Sequence, residues 1–346
     1  MKRTALNRAG IPVFLALLLT FSSVASGEEH PLATLAESAA AKSEITAPGS
    51  RPFHLRAVVY EATNRDNDSY NAEIEEYWMA PNKWRRTVKT EEFTQTLVVN
   101  GENKSEQITG EYFPNWLRTV VAAIFDPAGA VAGVDMSKSA DNPVFGGTKL
   151  CRRFEYRVGI PPASNRVFSV YCFDHGLMDS VQKPGYRASY NVYRKFTGKE
   201  VARKIREYIE PGTELEASID ELSEWTTPDE SLFFIEQPNS PLQTLVISEE
   251  DLRGLAQNQT IHWPPIRGGK SSGVLSIYVA LDRSGRVRET YALNSDHPAM
   301  SDAAREQVAK WHFKPAVSKG VPVQVESILT FAYQTKVEAT AGTTRP

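Results

Sequence analysis

Between Pro52 and about Trp225 apolar and polar residues alternate in short runs separated by turn residues, the period of strands with one buried face. His54 to Glu61 and Ala72 to Met79 open the series. Pro81-Asn82 supplies a turn, Lys83 to Val88 continues, and Phe93 to Val99 runs into the hairpin signal Asn100-Gly101. Lys149 to Val158, Arg166 to Phe173 and Tyr186 to Phe196 extend the sheet. Val201 to Ile209 fits either period; it is read as a strand because Pro211-Gly212 leads into a second alternating run, Leu215 to Leu222. Trp116, Leu117, Val120, Val121, Ile124 and Phe125 recur instead at helical spacing, and Asp126-Pro127 ends that run. The expectation is an antiparallel sheet with one apolar helix.

The alternation sharpens from Gly273, where Leu275, Ile277, Val279 and Leu281 form one strongly apolar strand face. Asp282 to Gly285 reads as a hairpin loop and Val287 to Leu293 as the returning strand. A helix follows, with Ser301 as its expected cap, Asp302 at its positive end, and Ala304, Val308 and Trp311 on one face. After Lys319-Gly320 a last strand alternates Val321, Val323, Val325, Ser327, Leu329 and Phe331. The order strand, strand, helix, strand favours an antiparallel sheet covered on one face by the helix. Residues 226–262 mix polar residues with patches such as Leu242 to Ile247 and read as a loosely packed connector. It ends on a short helix after Ser248, with Leu252 and Leu255 facing inward.

The ends set the compartment. Lys2, Arg3 and Arg8 precede an apolar run from Ile11 to Ala25, and Ala25 and Gly27 are small, the pattern of a secretory signal peptide cut before Glu28. About 15 apolar residues fall short of the roughly 20 that span a bilayer, so an inner-membrane anchor arises only if the signal stays uncleaved. The chain then lies in the periplasm or cell envelope. Removal of those three cations takes the net charge from −3 to −6, and no basic stripe follows, which argues against nucleic acid as a partner. Cys151 and Cys172, the only cysteines, form an isolated pair in an oxidising compartment; this is expected to be a disulfide rather than a metal site, since zinc recruits four nearby ligands. About 320 mature residues exceed a usual single core and imply two domains.

Residues 70–88 (YNAEIEEYWMAPNKWRRTV), residues 93–101 (FTQTLVVNG) and the late strand pair together resemble the outer-membrane lipoprotein carrier and sensor superfamily. That resemblance implies a curved half-barrel around helices, with an apolar cavity that could hold a lipid or acyl chain; a plain apolar core under a sheet is the competing reading. The loop DRSGRV (282–287), AAREQVAKWHFKPA (303–316) and KGVPVQVESILTFAY (319–333) are similar to the TonB C-terminal domain family over about 250–333. This resemblance implies binding of an outer-membrane receptor segment by strand addition to an exposed sheet edge. The expected edge is the last strand, with Pro322, Val323, Gln324, Val325, Glu326, Ser327, Ile328, Leu329 and Thr330, and with Gln324, Glu326, Ile328 and Thr330 on its more exposed face. The chain departs from an energy transducer in lacking a long Pro-rich spacer.

The expected organisation is an α+β chain: signal peptide (1–27), flexible leader (28–50), antiparallel half-barrel-like domain (51–225), connector (226–262), small β-β-α-β domain (263–333) and disordered tail (334–346). No catalytic set assembles. His297, before a proline, and His312, beside Trp311, read as surface or packing residues; His175 and His262 lack an acidic or cysteine partner at ligand spacing, and Glu73, Glu75 and Glu76 read as a solvated face. Gly146-Gly147 and Gly268-Gly269 do not open helices after strands as phosphate loops do. The reading is therefore a non-enzymatic transport-associated binding protein without cofactor or metal, the alternative being a periplasmic lipid carrier or sensor that uses the half-barrel.

Overall fold

The computed structural model describes residues 31–64, 70–131, 142–146, 149–158, 165–209, 212–239, 242–266 and 271–336. The segment expected to be a signal peptide, Pro211, Gly147, Gly268-Gly269 and the end of the tail lie outside them. The chain opens with α1 (Pro31–Ser43) and a meander, β1 (Phe53–Glu61), β2 (Ala72–Ala80), β3 (Lys83–Lys89), β4 (Thr94–Asn100) and β5 (Asn103–Thr109). Helix α2 (Asn115–Phe125) follows. A second meander contains β6 (Asn142–Gly146), β7 (Lys149–Val158), β8 (Asn165–Asp174), β9 (Leu177–Lys183), β10 (Tyr186–Phe196), β11 (Lys199–Ile209) and β12 (Thr213–Glu224). β1 pairs antiparallel with β12, which joins the two meanders into one twelve-stranded sheet with β5 and β6 at its ends. Val201 to Ile209 is thus a strand, as its following turn suggested.

The sheet curves around α1 and α2. Leu117 and Val120 of α2 and Leu32 of α1 are wholly buried with Leu55, Trp78, Phe154 and Ile205 from strands across the sheet. Phe53 stacks on Trp78 at 5.4 Å. The expectation of a mobile leader fails for α1. Leu32, Leu35, Ala36 and Ala39 fall at the i, i+3, i+4, i+7 spacing of a single helix stripe, and that stripe packs into the core. Nor is the glutamate run of β2 a solvated face throughout. Glu73 is exposed, but Glu76 shares the inward face with Ile74 and Trp78 and is wholly buried in an ion pair with Arg86. Burial raises its carboxyl pKa, which Arg86 opposes.

The rest of the chain forms a second sheet. Its elements are β13 (Thr244–Val246), α3 (Glu249–Leu255), β14 (Ser272–Leu281), β15 (Val287–Ser295), α4 (Pro298–Val308), β16 (Ala316–Ser318) and β17 (Val321–Gln334). The strand order is β13-β17-β14-β15, with β16 hairpinned onto the start of β17. Leu275, Ile277, Val279, Val325 and Leu329 pack against Met300, Ala304 and Val308 of α4. Two sequence expectations need correction. α4 begins at Pro298 with His297 at its N-cap, and Ser301 is buried inside it, donating to the Pro298 carbonyl at 2.8 Å; proline suits the first helical turn, where no amide partner is needed. The connector is not loose, because β13 joins the sheet and Leu252 of α3 is wholly buried in its core.

Candidate functional site

The strand expected to bind a partner is not a free edge. β17 lies between β14, which pairs antiparallel along Ser272–Leu281, and β13, which pairs parallel over Thr244–Val246 opposite Gln324–Glu326. The Gln324 amide donates to the Gln243 carbonyl at 3.1 Å, and the Ile247 amide donates to the Glu326 carbonyl at 2.9 Å. Beyond β13, side chains of α3 take over the same edge. Glu249 accepts from the Thr330 amide at 2.9 Å, and Arg253 donates to the Thr330 carbonyl at 2.9 Å. Val323, Val325 and Leu329 face α4, while Pro322 is exposed at the hairpin with β16 and Ser327 donates to the Ile247 carbonyl.

The face assigned to solvent is covered as well. Gln324 is wholly buried and Thr330 nearly so, whereas Glu326 and Ile328 are half-buried. The cause is the N-terminal end of α2, which sits on this face. Its N-cap position is Pro114, with no capping side chain and no acidic residue in the first turn, so its orphan amides must be satisfied from elsewhere. Glu289 of β15 supplies one acceptor, taking the Asn115 amide at 2.7 Å and the Tyr112 hydroxyl at 2.7 Å. Gln324 clamps the preceding residue, accepting from the Phe113 amide and donating to the Phe113 carbonyl, each at 2.9 Å. Asn115 donates to the Tyr291 hydroxyl at 3.1 Å, and Arg118 pairs with Glu326.

A carboxylate at a helix N-terminus is stabilised by the positive helix end. Burial nevertheless dominates at Glu289 and raises its pKa, against the bonds from Tyr112 and the Asn115 amide and the charges of Arg118 and Arg288. Tyr112 is pushed well above the phenol range by burial and by Glu289. The seam continues outward through Arg283 to the Gly110 carbonyl at 2.7 Å, Arg288 to Glu92 at 2.6 Å, and Asn294 to the Arg166 carbonyl at 2.6 Å. The signal for this covered face was present in the sequence. Ser276, Tyr278, Ala280 and Tyr291 put small and aromatic residues where a solvated face would carry charge.

Cys151 and Cys172 are bonded, tying β7 to β8 at directly paired positions with their Cα atoms 4.1 Å apart. The exposed His175 lies in the turn between β8 and β9, His262 in irregular chain before β14 and His312 at an isolated bridge to Arg286, and among the described residues no three His, Cys, Asp or Glu side chains converge as a metal set would. Among the described residues, too, no helix is long and apolar enough to cross a membrane.

Residues 267–335 match the family of the Gram-negative bacterial TonB protein C-terminal region, so the small sheet carries the similarity, over a span close to the 250–333 expected. No curated protein matches the chain. Among solved structures it is similar to a LolA superfamily protein from Nitrosomonas europaea, at 7% identity and a TM-score of 0.35, covering 59% of this chain and 98% of that one. It is also similar to a DUF1329 family protein from Desulfovibrio piger, at 8% identity and a TM-score of 0.34, covering 59% and 97%. Both overlaps are loose, and the half-barrel description rests on the strand order itself.

Proposed function

We propose that this chain is a non-enzymatic protein of the periplasm or cell envelope that binds an outer-membrane receptor by strand addition along residues 322–330. The family match over residues 267–335 carries the reading. The manner of binding follows from the edge. β13 holds β17 through only three residue pairs, and its Val246 is 83% exposed, so this short strand is the part of the sheet most easily exchanged. A receptor segment that pairs with Gln324–Glu326 takes the place of β13. The lipid-carrier alternative draws less support, because Leu32, Leu117 and Val120 occupy the concave side of the half-barrel where a chain would lie.

The test is affinity capture from envelope extracts, using the full mature chain and a Leu245→Pro variant, which removes an amide from β13 and weakens its pairing. Outer-membrane receptors should be enriched, more strongly by the variant, and a synthetic peptide copying the receptor's extended segment should compete. Capture of no outer-membrane receptor by either protein would refute the reading. Equal capture by both would leave binding in place but remove the β13 exchange.

A further inference from the structure

A cleft of about 440 Å³ opens where the turns of the large sheet meet β15, and both sheets line it. Its wall from the large sheet holds Arg166 and Arg187, on the outer face, and Lys183, which pairs with Tyr186 on the inner face at the end of β9; its wall from the small sheet brings Leu293 and Asn294. No aspartate or glutamate is among its described lining residues, in a chain whose net charge is −3. Phe168 and Tyr208, exposed at 40% and 37%, belong to the same wall, so exposed aromatic surface and cationic charge coincide here.

The three cations are engaged to different degrees. Arg166 meets Glu155 at 3.2 Å on the open side, and Arg187 lies over the Tyr208 ring at 5.3 Å. Lys183 has a ring contact, its Nζ 5.9 Å from the Tyr171 centroid, but no hydrogen bond or ion pair among the described residues. Burial alone lowers its pKa. An ammonium that is partly buried without an anion costs free energy, and a ligand carboxylate or phosphate would return it.

The frame around these groups is fixed from both sides. Asn294 holds the Arg166 carbonyl at 2.6 Å, and the Pro184-Gly185 turn presses so closely on β15 that a Cβ at Gly185 would collide with the Tyr291 ring. From this juxtaposition we infer that the cleft is a binding site for a small amphiphilic anion, a carboxylate or phosphate joined to an apolar body. The anionic group sits over the strand ends, reached by Lys183 from the inner face and by Arg187 from the outer face, and the apolar body lies along Phe168, Tyr208 and Leu293. Such a volume is within the range of pockets that enclose small organic ligands. This site lies at the rim of the half-barrel, where Tyr186 and Ile209 also pack against its core, and is separate from the edge of β17.

Calorimetric titration of the mature chain with hexyl phosphate, and in parallel with inorganic phosphate and with hexanol, tests the assignment. One saturable site for hexyl phosphate is expected, tighter than for inorganic phosphate, absent for hexanol, and weakened by added salt. Lys183→Gln should weaken it by about tenfold, and Lys183→Arg should keep it. If Lys183→Gln does not fold, Arg187→Gln, on an exposed side chain, makes the same charge test. Equal affinity for hexyl phosphate and inorganic phosphate would reduce the cleft to an anion site and overturn the amphiphile. Absence of saturation, or unchanged affinity in both charge-deleted variants, would overturn the site.

Discussion

Glu207 offers the sharpest test of how the half-barrel holds α2, the helix that carries the seam. The residue lies on β11 with its side chain turned inward and wholly buried, where its Oε1 accepts from the Tyr186 hydroxyl at 3.0 Å. The Thr119 hydroxyl of α2 lies 2.9 Å from Glu207 Oε2 and 2.7 Å from the Trp116 carbonyl. One hydroxyl has one proton, so a neutral Glu207 that donates to Thr119, while Thr119 donates to Trp116, satisfies all three groups. Burial raises the carboxyl pKa to about 8 from 4.5, against the two hydroxyl bonds. The folded value lies above the unfolded one, so the contribution is complete below pH 4.5 and is lost as pH rises through 8. At about 1.4 kcal/mol per unit of pKa, the full window is worth of order 3–5 kcal/mol. Glu207→Gln copies the neutral acid, with an amide donor toward Thr119 and an oxygen toward Tyr186. Urea unfolding at pH 5, 7 and 9 should find the two proteins within about 1 kcal/mol at pH 5 and the variant ahead by several kcal/mol at pH 9. Because other titrating groups are shared, the difference isolates this carboxyl. Parallel stability curves from pH 5 to 9 would refute the reasoning.

The other outcomes probe the acid limb, the seam and the staple. At Glu216 burial raises the carboxyl pKa, but bonds from Lys204 at 2.6 Å, Tyr60 at 2.7 Å and Arg206 at 3.1 Å outweigh it and hold the group at about 2. Its contribution is present above pH 4.5 and lost as pH falls through 2, so Glu216→Gln should be less stable than the parent at pH 6, by up to about 3 kcal/mol, with the gap closing in acid-unfolding curves toward pH 2. Gln324→Leu leaves both Phe113 backbone groups without their buried partner; it should cost roughly 1–3 kcal/mol, and calorimetry should resolve separate transitions for the two sheets. Gly185→Ala places a Cβ against the Tyr291 ring from a residue with φ of 70°, and hydrogen exchange should show β15 loosened while β14 stays protected. Cys151→Ser with Cys172→Ser opens a link across a sequence separation of 21 and should lower stability by about 3 kcal/mol in denaturant curves.

Where pattern and physics act locally, the fold was legible. Alternation located most of the longer strands of both sheets but not β5, β6 or β9, and the apolar stripe from Trp116 to Phe125 located α2 together with its end at Asp126. Elements whose stability is borrowed from neighbours were harder to read. α1 has an apolar stripe, but its alanine, serine and glutamate content resembles a solvated leader until a curved sheet exists to receive it. β13 and β16 have three residues each, too few for any period, and become strands only because β17 offers a ladder to both.

The candidate site was legible in its strands and not in its surroundings. Counting alternate positions correctly separated Val323, Val325 and Leu329 from Gln324, Glu326, Ile328 and Thr330. It could not tell whether the second set meets water or another element, because a polar residue that clamps a helix end looks the same in sequence as a solvated one. Gln324 is the case in point. A carboxamide suits a partner strand, yet here its oxygen and nitrogen are both spent on the backbone of Phe113. A partner strand that reaches Gln324 through the edge of β17 meets only its backbone, while the side chain stays committed to α2. The edge and the seam are therefore two chemically independent surfaces of one strand. Exchange at β13 need not undock the half-barrel, and a partner that binds at this edge would be read through backbone pairing and the exposed positions near Pro322 rather than through Gln324.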